Sequence, residues 1–66
     1  MNKYFTNTYP IVNLYKKKSV KSEIITQMIY GDSFLITNRT KRWLKIKIKE
    51  DNYKGYIENR NFNTYI

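Results

Sequence analysis

The stretch SEIITQMIYGDSF, residues 22–34, decides the fold. Ile24, Ile25, Met28 and Ile29 fall at helix-like spacing, yet YGD at 30–32 stops the run almost at once. A helix that short is marginal in water. Ile24, Ile25, Thr26, Ile29 and Tyr30 are β-branched or aromatic, the types that fit a pleated, half-buried strand. The stretch therefore reads as a strand followed by a tight turn, in which Gly31 and Asp32 tolerate the required backbone angles. Side chains alternate along a strand, which puts Ile24, Thr26, Met28 and Tyr30 on one face and Ile25, Gln27 and Ile29 on the other. With Met28 inward, Ile25 and Ile29 point outward, and two exposed isoleucines on a small domain invite docking. The other reading left open is that segment 1–9, with Tyr4, Phe5 and Tyr9, folds over them.

The rest of the chain follows the same pattern. PIVNLY (10–15) is a short extended segment opened by its proline, and KKKSVKS (16–22) is a basic loop. FLIT (34–37) is the next strand and NRTK (38–41) the next turn. RWLKIKIKE (42–50) alternates cleanly, with Leu44, Ile46 and Ile48 on one face and Trp43, Lys45, Lys47 and Lys49 on the other. That period of two is the strongest strand signal in the sequence. EDN (50–52) makes a turn, YKGYI (53–57) a further strand, and the tail ENRNFNTYI a single helical turn and a last short strand. Five or six short antiparallel strands at spacings of roughly 10 residues predict an all-β chain closed into a small barrel. The expected division is an N-terminal extension at 1–9 and the barrel at 10–66.

Composition narrows the function. A chain of 66 residues buries only about 60% of its unfolded surface, which leaves little core for an enzyme cleft. There is no Cys and no His, which removes thiol nucleophiles, disulfides, imidazole bases and the usual zinc patterns. The five acidic residues, Glu23, Asp32, Glu50, Asp51 and Glu58, show no spacing that suggests an acid–base couple. No catalytic residue, metal ligand or cofactor is expected. No apolar run is long enough for a signal peptide or a membrane span, so the expected location is the cytoplasm, with the cell envelope as the alternative.

The formal net charge is +8, and Lys, Asn, Ile and Tyr make 34 of the 66 residues while Ala is missing. All four use AT-rich codons, so codon bias with a solvated lysine surface is the simpler account of the charge. The sharper account is a nucleic-acid or anionic-polymer partner. Its best support is the strand face Arg42, Trp43, Lys45, Lys47 and Lys49, flanked by Arg39 and Lys41. Small barrels bind single strands by stacking bases and tracking phosphates.

Residues 12–57 resemble a bacterial SH3 domain. More narrowly, they are similar to the SH3 domain that precedes the catalytic domain in NlpC/P60-family murein peptidases of the dipeptidyl-peptidase VI type. The likeness rests on VNL with the later SE, on TQMIYGD, and on the W…KI…DNYKGYI pattern ending at residue 57. Three positions depart from the subgroup: a lysine at or near Lys18 where proline is usual, Tyr15 where arginine is usual, and Tyr56 where tryptophan is usual.

The resemblance implies an SH3-like barrel that packs against a papain-like domain on the same chain and forms part of its substrate cleft. Such enzymes cut between γ-D-glutamate and a diamino acid in murein peptides with a free N-terminal L-alanine. Their catalytic Cys and His lie on the other domain. The SH3 domain holds the peptide's amine through a carboxylate and an aromatic hydroxyl, at positions matching Glu23 and Tyr53. A carboxylate on an ammonium makes a charge-assisted hydrogen bond, and a blocked amine leaves that charge unpaired. The expected docking residues are Ile25, Ile29, Trp43 and Tyr56, the last two on the outward parity of their strands. Ordinary surface or barrel-shielding roles remain open for Glu23, Tyr53, Trp43 and Tyr56, and coverage by segment 1–9 for Ile25 and Ile29. Gripping of proline-rich peptides needs an acidic loop, whereas KKKSVKS is basic.

Overall fold

The computed structural model describes residues 4–60 and 63–65, with side chains for 4–60. Seven strands follow one another: β1 (Tyr4–Thr6), β2 (Ile11–Tyr15), β3 (Ile24–Ile29), β4 (Ser33–Arg39), β5 (Trp43–Ile48), β6 (Lys54–Glu58) and β7 (Asn63–Tyr65). They form one sheet in the order β3-β2-β6-β5-β4-β1-β7, with every pairing antiparallel. No helix occurs among the described residues. The architecture is the all-β one expected of a small SH3-like barrel, with seven strands in place of five or six. The helical turn expected in the tail falls in part on residues outside those described.

Alternation builds the core. Leu44, Ile46 and Ile48 of β5 are buried together with Val12 and Leu14 of β2, Met28 of β3, Phe34 of β4 and Ile57 of β6. β3 and β4 stand four places apart in the sheet yet share one cluster, so the sheet curls around it. Fully burying such a side chain stabilises the fold by about 1.5–3 kcal/mol. Gly55 is where the curl is tightest. A Cβ there would lie 2.7 Å from the Tyr15 carbonyl oxygen and 2.8 Å from the Leu14 side chain, so β6 crosses β2 at a distance only glycine permits.

β3 corrects one expectation. Leu14 faces Thr26, but the next residue, Tyr15, faces Ile24. Ile25 is therefore the extra residue of a β-bulge, in which two residues oppose one and the alternation resets. Met28 is fully buried and Ile29 is 60% exposed, whereas Ile25 is half-buried against the core and Ile24 is 46% exposed. The outward pair on this strand is Ile24 and Ile29, not Ile25 and Ile29.

Segment 4–9 does not lie over Ile29 either. β1 pairs with β4, Tyr4 opposite Leu35 and Phe5 opposite Phe34, and the Phe5 and Phe34 rings stack at 5.9 Å. The chain is then fastened by Asn7, a buried polar residue. Its N–H donates to the Asp32 carbonyl, and its own carbonyl accepts from the Gly31 N–H. Its side-chain Nδ2 donates to the Ile29 carbonyl and its Oδ1 accepts from the Tyr9 N–H. Every polar group of this residue has a partner, as burial requires. The turn it grips holds Gly31 at φ 93° and is closed by the Ile29 N–H donating to Asp32 Oδ2.

Candidate functional site

The face of the sheet turned away from the core carries the aromatic residues. Register sets Tyr15 of β2, Tyr56 of β6 and Lys45 of β5 side by side. Trp43, two residues before Lys45, stands opposite Glu58. Tyr15 and Trp43 meet edge to face, with ring centroids 5.9 Å apart and planes at 89°, a geometry the ring quadrupoles favour. This contact leaves Tyr15 only 8% exposed despite its outward parity. Asn13 Nδ2 donates to the Tyr15 hydroxyl at 3.3 Å, and Gln27 Nε2 donates to Asn13 Oδ1 at 2.8 Å. Lys18 and Lys45 place their ammonium groups over the Tyr56 ring at 5.7 and 6.0 Å, within cation–π range.

Beside this face lies an open groove of about 550 Å³, within the size range of small-ligand sites, about 300–1,000 Å³. Lys18 and Val20 from the β2–β3 loop form one wall, Lys41 and Arg42 from the β4–β5 turn form the other, and Trp43, Glu58 and Asn59 complete it. The turn wall is braced. Asn59 Nδ2 donates to the Thr40 and Lys41 carbonyls, and the Asn59 N–H donates to the Arg42 carbonyl. Thr40 closes the turn by accepting from the Trp43 N–H through its hydroxyl and donating its own N–H to the Trp43 carbonyl.

Glu23 and Tyr53 are both exposed and both sit at one end of the β3–β2–β6 ladder. The Glu23 carbonyl accepts from the N–H of Lys16, the residue after Tyr15. Tyr53 precedes β6, whose Tyr56 stands beside Tyr15 in an antiparallel register, so the strand runs from Tyr53 towards the Trp43 end. Tyr53 and Glu58 are five residues apart, roughly 16 Å of strand, which separates this end from the groove. The tight approach of the chain before β6 is made by Asn52, at φ 59°, a conformation asparagine tolerates better than most residues.

Of the four expected docking residues, Ile29 is exposed, Trp43 and Tyr56 are half-buried, and Ile25 faces the core. Ile29 has an apolar cross-strand neighbour, Ile11, which is 55% exposed. Ile24 is exposed at the other end of β3, separated from that pair by the hydrogen-bonded Gln27 and Asn13, and among the described residues β3 has a pairing partner on one side only. Sequence reasoning missed Tyr15, Val20, Glu58 and Asn59. The outward parity of Tyr15 next to the inward Leu14 was a usable signal for the first. The others come from segments far apart in sequence and meet only through the curl of the sheet.

Among the described residues, no group of three or more His, Cys, Asp or Glu side chains is arranged to hold a metal ion. Comparison with curated proteins and with solved structures finds no match. A family model described as the bacterial dipeptidyl-peptidase Sh3 domain matches residues 14–61. That span runs from the end of β2 past the end of β6 and includes both the Tyr15–Trp43 contact and the groove. An antiparallel all-β sheet curled on one apolar cluster and a family match over most of its length together place the chain: it belongs to the bacterial dipeptidyl-peptidase SH3 domain family, as an accessory domain and not the hydrolytic one.

Proposed function

We propose that this domain serves an NlpC/P60-type cysteine peptidase domain on the same chain, in an enzyme that cleaves murein peptides between γ-D-glutamate and a diamino acid. Its part is to pack on the catalytic domain and to hold the free amino end of the substrate. The observation that carries this reading is that Glu23 and Tyr53, the two positions matched to amine binding, lie exposed at the same end of the β3–β2–β6 ladder. A carboxylate and a phenol hydroxyl there complement an ammonium group. The exposed side chains of Ile11, Ile24 and Ile29 supply apolar contacts for packing, with Trp43 and Tyr56 as half-buried aromatics on β5 and β6. Ile25 has no place in that surface, because the bulge turns it inward.

Titration of the isotope-labelled chain with the tripeptide L-Ala-γ-D-Glu-diaminopimelate, followed by NMR, tests the amine site. The free-amine peptide is expected to shift the Glu23 and Tyr53 resonances, and the N-acetylated peptide to leave them in place. Equal shifts with both peptides, or none with either at millimolar concentration, would overturn the assignment of Glu23 and Tyr53.

The nucleic-acid reading has less support from the geometry. Trp43, the aromatic residue on the strand face that reading relies on, is half-buried and packed edge to face by Tyr15.

A further inference from the structure

The groove beside Trp43 has a chemistry that the amine-binding end does not explain. Its two walls bring together three cations from distant segments: Lys18 of the β2–β3 loop, and Lys41 and Arg42 of the β4–β5 turn. Among the described residues, the Lys41 and Arg42 side chains have no ion-pair partner, and Lys18 has only the Tyr56 ring. Like charges gathered across one cleft raise the local concentration of anions. The floor is not uniformly basic, because Glu58 stands opposite Trp43 and contributes a carboxylate. Val20, 56% exposed, gives one lip an apolar surface. The turn wall is held in place by the Thr40 and Asn59 hydrogen bonds, so its backbone needs little ordering when a ligand arrives.

We propose that this groove is a binding site for short acidic peptides in an extended conformation. Side-chain carboxylates of the peptide pair with Lys18, Lys41 and Arg42, their methylene stems lie on Val20 and Trp43, and a peptide N–H donates to Glu58. The same residues count against a nucleic-acid strand. Base stacking needs a succession of aromatic faces, and among the described residues Trp43 is the one aromatic side chain lining the groove. A phosphate backbone has no donor for the Glu58 carboxylate, whereas a peptide backbone carries one at each residue. The Trp43–Glu58 part of the groove lies at the opposite end of β6 from Tyr53, and the contacts proposed here use neither Glu23 nor Tyr53, so this site stands whether or not those two hold an amine.

Trp43 is the only tryptophan in the chain, so its fluorescence reports on this groove and the adjoining Tyr15 contact. The probe is N-acetyl-tetraglutamate amide, which has no free amine and so does not engage the Glu23–Tyr53 end by the chemistry proposed there. Saturable change in Trp43 emission is expected, weakening as salt screens the pairs. The double variant Lys41→Gln/Arg42→Gln should bind about tenfold or more weakly, the scale of a lost charge-assisted contact. Both residues are exposed, so the variant should unfold at the same urea midpoint as the parent chain, and that equality is checked first. Acetyl-tetraalanine amide should leave the emission unchanged. The proposal fails if tetraglutamate gives no change at millimolar concentration, or if the folded double variant binds it as well as the parent does. It also fails if an oligothymidylate of equal charge binds more tightly than the peptide, which would assign the groove to nucleic acid.

Discussion

β3 and β5 are both six residues long and rich in isoleucine, yet one can be read by simple alternation and the other cannot. β5 has a neighbour on each side, β4 and β6. Where its pairing with β4 slips, between Ile36 and Asn38, the extra residue lies on β4. Its own period of two therefore survives intact, and Leu44, Ile46 and Ile48 all face inward. Among the described residues β3 has a partner on one side only, and it carries the extra residue of its pairing with β2 itself. β5 keeps its parity along its whole length, whereas β3 absorbs a bulge and reverses it; β4 also absorbs one, at Thr37, beyond the residues that face β1.

The largest expected effect tests whether the two strands are equal where they do agree. Ile46 and Met28 are both fully buried in the same cluster. Truncation of either to alanine should cost about 2–5 kcal/mol, the range for large-to-small changes in packed cores. Urea unfolding of Ile46→Ala and Met28→Ala measures both. A mild loss for Met28→Ala beside a severe one for Ile46→Ala would mean that β3 contributes less to the core than its burial indicates.

The next effect concerns what lets β2 carry β3 on one side and β6 on the other. Gly55→Ala puts a methyl group against the backbone of Tyr15 and the side chain of Leu14. Backbone cannot step aside as the end of a flexible side chain can, so a loss of about 3 kcal/mol is expected, the upper range for overpacking. Wild-type stability for this variant would show that the β2–β6 crossing is looser than 2.7 Å. Asn7→Ala should follow at about 2 kcal/mol, because it leaves the Ile29 carbonyl and the Tyr9 N–H without their side-chain partners. The loss should concentrate in the amides of β1 and the Gly31 turn, read by hydrogen exchange.

How much of this was legible follows from the same contrast. Leu44, Ile46 and Ile48 were readable because their strand obeys one local rule over its whole length. Trp43 and Tyr56 were readable as outward residues for the same reason. Ile25 was not, since no residue type marks a bulge that arises from pairing Tyr15 with Ile24. β1 escaped as well. Its fastening is a buried asparagine, and asparagine in a sequence reads first as a turn or a surface residue. Groove residues Lys18 and Val20 sit in what reads as a solvated basic loop. They gain meaning only when that loop lies across from Arg42 and Glu58, 22 or more residues further along the chain. Glu23 and Tyr53 stood out through a family likeness and not through local pattern, and the register adds that they share one end of the ladder.

The smallest effect is the most direct probe of the bulge, because it compares neighbours of identical chemistry. Ile24→Ala removes a side chain that is 46% exposed, and surface substitutions of that kind usually stay within about 0.5 kcal/mol. Ile25→Ala removes one packed against the core, and partial burial scales the usual core cost down to about 1–2 kcal/mol. Simple alternation from an inward Met28 demands the opposite order, with Ile24 costly and Ile25 cheap. The sign of the difference between two urea midpoints therefore separates a bulged β3 from a regular one, without reference to absolute stability. The bulge also decides which isoleucines are available for docking. If Ile25→Ala proves the milder change, the exposed isoleucines are Ile11, Ile25 and Ile29, and any partner surface must be matched to that set.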